Sequence, residues 1–588
     1  MFDITELDEM VCALLDPSSL AKCAQVSKKW SRVFAPYVWK NIPKTVTQKG
    51  WCEFRELVLE DYQQEQQRQE QQQQPQQQPP PKRVRKSKST YVAKPISHTS
   101  EPTESSAPLA LTKFGRLVRH VEEFAELLMG LEPPLPGGGK LSSKEHSDPS
   151  APDLARHFLK RCPNALLDLQ VDYEHVKSKK MFTVVLEAIP RVDNLTIRGK
   201  YDGRKPFPDS SFQKILLATS DRLRSLTIDI PRFRLTKGAD IIGSPNVRDL
   251  EITARPKTLK LITLAEINLC ADWSWIWRAC GQVEKIEISG ISQQLVKDLA
   301  KGIRDSMPCV DTVVFGKGFP GYGNALCAAN LPSILSASTN GWKAVHCGYS
   351  SQWQSSAFDA LLQHASPLEE LSIVNVRDRG GIPRVLKSCP NLRKLVTIDD
   401  GRHGSSEFAE VDAQDFIDWD PARNAVQPWV SAANLETLAI KVTGILPQGS
   451  NELPVDFQRF YETQQRICER LGEFKALKVL TLGHRAIVAE RRSVWLNRWR
   501  TGYRTTISTS PMQGECLHLT LAMGLDRMGG FKNLEELHIP NMDHHVTVKE
   551  DVEWMVDNWP KISRVRGLGV VTEARKWLKE THPEIQLE

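Results

Sequence analysis

The chain has 588 residues, too many for one hydrophobic core, so several domains or one elongated repeat array is expected. Its 40% hydrophobic and 25% charged residues are those of an ordinary globular protein, and a formal net charge of +6 is too mild to argue for nucleic acid. The opening Met1-Phe2-Asp3-Ile4-Thr5-Glu6 is acidic where a signal peptide needs a basic flank, and no apolar run approaches the roughly 20 residues of a membrane span. A cytoplasmic or nuclear protein with no membrane partner is therefore expected. The 12 cysteines are scattered singly with no CxxC pair, and Cys162, Cys280, Cys309 and Cys389 lie in or beside apolar segments. They read as small hydrophobes in a reducing compartment.

In chain order, residues 1–60 carry a helical pattern. Leu7, Met10, Val11, Leu14 and Leu15 fall on one helix face. Asp16-Pro17 breaks that helix and opens a second one, with Asp16 as N-cap and Pro17 at the first helical position. That helix carries Leu20, Cys23, Ala24 and Val26, then Trp30; Pro36 stops the next stretch and Trp39 closes the module. Residues 61–108 change character. Glutamine dominates from Gln63 to Gln78, prolines follow, and too little apolar surface remains to offset the entropy of ordering, so a disordered linker is expected. The basic run Lys82, Arg83, Arg85, Lys86 and Lys88 reads either as a solvated cluster or as a nuclear import signal.

From 109 to 588 one template returns, apolar at offsets 0, 3 and 5. It fits units beginning at Leu166, Val192, Leu223, Val247, Val283, Val310, Trp342, Leu368, Leu435, Leu477 and Leu534, with partial matches at Leu392 and Ile562. Leu117 belongs to an earlier, weaker unit. Many starts are spaced roughly 25–35 residues apart, at or slightly above the 20–29 usual for leucine-rich repeats. Turns such as Cys162-Pro163-Asn164 and Cys389-Pro390-Asn391 lead into the strands, and helical stretches such as Phe182–Ala188 precede some of them. Each unit reads as strand, loop, helix. No unit buries its own apolar face, so the units must stack. The expected fold is an α/β repeat, a leucine-rich-repeat solenoid (horseshoe) preceded by a small all-α module, with insertions near 399–430 (acidic) and 484–515 (Arg-rich, with Trp495 and Trp499).

Side chains alternate along a strand, so offsets 2, 4 and 6 share the face opposite the core. On a solenoid that face is concave. It would present Asp168, Gln170, Arg198, Asp229, Asp249, Glu251, Lys285, Glu287 and Glu370, a polar ladder that is either merely solvated or a surface selecting a basic protein segment. Clustered Lys/Arg of the kind phosphate binding needs is not evident there, so nucleic acid is not the expected partner. The two insertions, opposite in charge, are expected to attract each other. No P-loop, HExxH or GxSxG occurs, Gly316–Gly321 matches GxGxxG only formally, and Asp415 and Asp418 on one helix face lack an acid/base partner, so neither an enzyme nor a cofactor is expected.

The N-terminal module resembles the F-box, on Asp16-Pro17-Ser18-Ser19-Leu20, Val26-Ser27-Lys28-Lys29-Trp30 and Pro36-Tyr37-Val38-Trp39. With C-terminal repeats, the chain resembles the fungal F-box/leucine-rich-repeat proteins. The family opens its first helix with Leu-Pro; here Ile4-Thr5-Glu6-Leu7 stands instead. The resemblance implies a scaffold that docks the Skp-family adaptor of an SCF-type cullin–RING ubiquitin ligase and holds a target protein on the repeats. It implies Ile4, Leu7, Leu14, Leu15, Leu20, Val26 and Trp30 as adaptor-docking or module-packing residues, Trp30 being read as core or as contact.

Overall fold

The computed structural model describes residues 59–70, 151–162, 166–199, 207–230, 256–262, 273–316, 330–347, 353–373, 380–397, 410–423, 425–445, 457–483, 517–539, 548–568 and 573–588, positions 376 and 378, and backbone strands at 41–42, 120–121, 232–233 and 266–267. The adaptor-docking residues Ile4 to Trp30, the basic run Lys82–Lys88, the GxGxxG segment beyond Gly316 and the insertion 484–515 lie outside the described residues. The chain divides into two compact units. The first is Met1–Arg198 with Ser210–Arg224 and Ile252–Ala254; the second is Gly199–Asp209, Ser225–Glu251 and Arg255–Glu588.

In the first unit, strands β1 (Asn41–Ile42), β2 (His120–Val121), β3 (Leu166–Asp172) and β4 (Val192–Arg198) pair in parallel in that order. Leu117, expected to belong to an earlier, weaker unit, lies outside the described residues. Leu167, Leu169, Val171, Val192, Leu195 and Ile197 are buried. Helix α1 spans 59–70, α2 is Ala151–Arg161 and α3 is Lys179–Ala188. α3 is capped by Ser178, whose hydroxyl accepts from the Met181 amide, and buries Met181, Val184, Val185 and Ala188. α1 runs nine residues past Asp61, into the stretch expected to be linker. Glutamine is a fair helix former, and this part of the segment is ordered by polar contacts with α2 rather than by apolar burial.

The second unit is a long parallel sheet with helices. Its strands pair in the order β5 (Ser225–Asp229), β6 (Thr258–Ile262), β7 (Lys285–Ser289), β8 (Thr312–Phe315), β9 (Ala344–Cys347), β10 (Glu370–Ile373) and β11 (Lys394–Val396). The ladder continues through β13 (Thr437–Thr443), β14 (Val479–Gly483), β15 (Glu536–His538), β16 (Arg564–Arg566) and β17 (Gln586–Leu587). The registers bring equal offsets side by side: Ile286, Val313, Val345, Leu371, Leu395, Leu438, Leu480 and Leu537 form one row, each completely buried. Burying each is worth about 1.5–3 kcal/mol. Parallel strands need crossovers, supplied here by helices such as α4 (Gln293–Ser306), α5 (Ser355–Leu362) and α6 (Gly381–Ser388). The apolar stripe of α4, Leu295, Val296, Leu299 and Ile303, is buried.

The unit expected at Val247/Leu250/Ile252 lies outside the described residues, and the rung directly beside β5 is β6, with Leu259 and Leu261 buried. The template missed β6 because a buried proline, Pro256, stands at its offset 0.

The acidic insertion is likewise partly absorbed into the sheet. β12 (Glu410–Asp412) pairs with Lys441–Thr443 of β13, beyond the part of β13 that β11 occupies, so β11 and β12 share one edge of it. A short helix follows, α7 (Ala413–Ile417), then a two-residue hairpin pair, Trp419–Asp420 with Ala425–Val426. Arg470 of α8 (Phe457–Gly472) closes over this excursion, its side chain wholly buried. Its Nε donates to Phe416 O at 3.2 Å and its Nη2 to Ile417 O at 2.7 Å, while Nη1 reaches Gln427 O and the Glu473 carboxylate. Its guanidinium lies 4.2 Å from the Trp429 ring centroid. It thus satisfies carbonyls that the end of α7 leaves without helical partners.

Candidate functional site: the strand face opposite the core

Among the described site residues of the first unit, Asp168 accepts from Asn194 Nδ2 at 2.7 Å, Gln170 donates to the Asp172 carboxylate at 3.2 Å, and Arg198 is exposed at the end of β4. In the second unit Lys285, Glu287 and Glu370 do lie on one face, partly exposed. Asp229 does not join them: it is 6% exposed at the end of β5, where the strand's alternation breaks, because two consecutive residues, Ile228 and Asp229, are both buried. Asp249 and Glu251 lie outside the described residues; Thr258, Lys260 and Ile262 stand on the rung beside β5.

The glutamates of this face in the second unit are paired with basic side chains within it. Glu287 accepts from Lys260 Nζ at 2.8 Å and from Lys285 Nζ at 2.9 Å. Burial pushes its carboxyl up, but the two lysines outweigh burial and hold it below the ordinary glutamate value. Glu370 lies 3.6 Å from Lys394 Nζ and 3.8 Å from His346 Nε2. Burial holds the His346 imidazole below its ordinary value against the pull of Glu370, helped by Lys394 and Lys285. Farther along, Glu536 binds Arg564 at 2.7 Å and His538 at 3.1 Å, and Arg566 meets Glu588 at 2.6 Å. Between these charged flanks stand small and β-branched residues: Val314, Ser372, Val396, Thr437 and Thr481 half-buried, Ala344 and Ala439 buried. The face is therefore no acidic stripe. A basic segment would have to displace lysines already in place, so the arrangement favours recognition by shape and hydrogen bonding at its centre, with paired charges at its margins.

A second row escaped the sequence reading. The residue at offset 1 is charged in unit after unit: Lys257, Glu284, Asp311, Lys343, Glu369, Arg393, Glu436, Lys478 and Glu535. Each backbone carbonyl of this row accepts two amides from the next rung, as Lys343 O does from Glu369 at 2.8 Å and Glu370 at 3.0 Å. The side chains pair across rungs: Lys257–Glu284 at 3.0 Å, Arg393–Glu436 at 2.6 Å and Lys478–Glu436 at 2.8 Å. Turn asparagines reinforce the stacking, Asn391 Nδ2 donating to Ser366 O at 2.8 Å and Asn434 Nδ2 to Pro390 O at 2.9 Å. The offset-1 charge is legible in the sequence as a Lys, Arg, Asp or Glu directly after the first buried residue of each of these rungs.

The acids Asp415 and Asp418 form no pair on a helix face. Asp418 leaves α7 in the left-handed region at φ 51° and binds Lys387 Nζ at 2.8 Å and Trp429 Nε1 at 3.2 Å, while Asp415 is exposed. An open cavity of about 350 Å³ lies nearby, lined by Gln414, Gln458, Arg459, Glu462, Thr463 and Arg466. Cys162, Cys280 and Cys389 are buried, and burial pushes their thiols up to about 12, as it does that of Cys468; Cys309 is exposed. Among the described residues no group of three His, Cys, Asp or Glu side chains is arranged to hold a metal, and no helix is long and apolar enough to cross a membrane.

No curated protein matches the chain. Among solved structures it is similar to one titled "Crystal structure of Rad7 and Elc1 complex in yeast", at 11% identity and a TM-score of 0.28, over 58% of this chain and 76% of that one. Residues 5–43 match the F-box-like family, and the chain thus carries an F-box-like domain at its N-terminus.

Proposed function

We propose that the chain is a substrate-recognition adaptor of an SCF-type cullin–RING ubiquitin ligase, acting in the cytoplasm or nucleus. The F-box-like domain docks a Skp-family adaptor through Ile4, Leu7, Leu14, Leu15, Leu20, Val26 and Trp30. The strand ladder, stacked as a leucine-rich-repeat solenoid of fungal type, holds a target protein on the face that carries Lys285, Glu287 and Glu370. Neither part performs covalent chemistry or needs a cofactor. The observation that carries this reading is the F-box-like match at residues 5–43; the regular 0/3/5 rungs and the polar face support the target-holding half.

Affinity purification of the full-length chain tests it. A Skp-family adaptor and its cullin should be retained, and should be lost from Leu14→Glu with the repeats still folded by circular dichroism. Absence of the adaptor from the wild-type sample would leave the second reading, a leucine-rich-repeat scaffold with no ligase link. That reading is favoured by one observation, Ile4-Thr5-Glu6-Leu7 where the family carries Leu-Pro.

A further inference from the structure

Two contacts join the N-terminal segment to the first repeats, and on the N-terminal side both are made by residues up to 70, ahead of the prolines and the basic run. The first is a strand. Asn41–Ile42, at the end of the F-box-like match, pairs in parallel with His120–Val121, which in turn pairs with Leu166–Leu167. The second is α1 on α2. Asp61, 2% exposed, accepts from His157 Nε2 at 2.7 Å and from Arg161 Nε at 2.9 Å. One turn on, Glu65 accepts from Arg161 Nη2 at 2.8 Å and lies 3.4 Å from His157 Nδ1. The Tyr62 ring meets the His157 ring edge-on, centroids 5.5 Å apart.

The spacing gives the contact its meaning. Asp61 and Glu65 stand i, i+4 on α1, and His157 and Arg161 stand i, i+4 on α2. Two acids so placed repel and weaken a helix by itself. Opposite a histidine and an arginine at the same spacing they become a matched double pair, and the Arg161 guanidinium bridges both carboxylates. α1 is thus stabilised by docking, and a docked carboxylate as buried as Asp61 is costly to strip of its partners.

We infer that residues 59–70 form an intramolecular docking element that, together with the rung at 41–42, clamps the F-box-like domain directly onto the first repeats. On this inference the prolines and the basic run that follow residue 70 are not the tether between two modules. On the adaptor reading above, on which this consequence rests, the target is presented at a fixed offset from the docked adaptor, whatever the composition of that stretch.

The test is a cut. A protease recognition sequence placed after Gln78 in the full-length chain is cleaved under native conditions, and the products are followed by size-exclusion chromatography. The clamp predicts that the two fragments co-elute after cleavage. Asp61→Lys should weaken their association about a hundredfold, and a chain with both sides exchanged, Asp61→Lys and Glu65→Lys with His157→Asp and Arg161→Glu, should recover most of it. Separation of the wild-type fragments overturns the inference. So does an Asp61→Lys chain whose fragments stay together as tightly as wild type. The readout needs no adaptor, so loss of adaptor binding with fragments held together would sink the ligase reading and leave the clamp standing.

Discussion

The strand ladder and the clasp around Arg470 hold adjacent parts of the second unit by opposite means. The ladder is apolar and repetitive: Ile286, Val313, Val345, Leu371 and Leu395 sit at one offset of successive rungs, and each contributes a similar burial. The clasp is polar and unique: one buried guanidinium serves carbonyls some fifty residues away in sequence, stacks on Trp429 and pairs with Glu473. The difference lies in how each fails. A ladder residue loses its own area and a cavity's worth of contacts. Arg470 removed leaves interior carbonyls without partners and the part-exposed Glu473 carboxylate unpaired, which costs more than the bonds were worth.

The largest expected effect is therefore at the clasp. Arg470→Met should lower stability by about 3–5 kcal/mol, read from urea unfolding, and should expose 410–433 to proteolysis before the ladder unfolds. Loss below about 1 kcal/mol would show that the excursion is held by its apolar contacts, Phe416 and Trp429, instead. Next comes the ladder itself. Leu371→Ala should cost about 2–5 kcal/mol by the same measurement, with no local proteolysis of 410–433, because its cavity is confined to neighbouring rungs. Gly302→Ala should follow at about 1–3 kcal/mol, though alanine is the better helix former. A Cβ there would stand 2.5 Å from Trp277 Cδ1 and Cγ, so α4 would have to shift away.

The smallest effect is on the outward face. Glu287→Gln should cost no more than about 1 kcal/mol at neutral pH, since the lysines that pair with it are exposed to solvent. The lysines hold the folded-state carboxyl below its unfolded value. Its contribution is therefore complete above the ordinary glutamate pKa of about 4.3 and is lost as pH falls through the lower folded value. Wild type and Glu287→Gln should converge in acid. A difference that persists there would assign the glutamate a packing role.

Much of the ladder was legible because an apolar residue at offsets 0, 3 and 5 is a local signal that repeats. Leu368/Leu371/Ile373 and Leu435/Leu438/Ile440 are buried as that signal requires. It failed where another residue did the same job: Pro256 stands at offset 0 of the β6 unit, and the template passed over it. Alternation also placed Lys285, Glu287 and Glu370 on one face, but it could not tell that Asp229 is buried or that each glutamate already has lysine partners on neighbouring rungs.

The sequence by itself determined the rung, its period and the side of the strand each residue takes, because those follow from backbone geometry and apolar spacing within about ten residues. Only tertiary structure decided which charges meet. Asp61 with Arg161 and Arg470 with Phe416 are joined across roughly 50–100 residues, and a hydrogen bond depends on a few tenths of an ångström that no local pattern encodes. A glutamine-rich segment with little apolar surface looked like linker on composition. Part of it is a helix because two acids, one turn apart, find two basic side chains at the same spacing on α2.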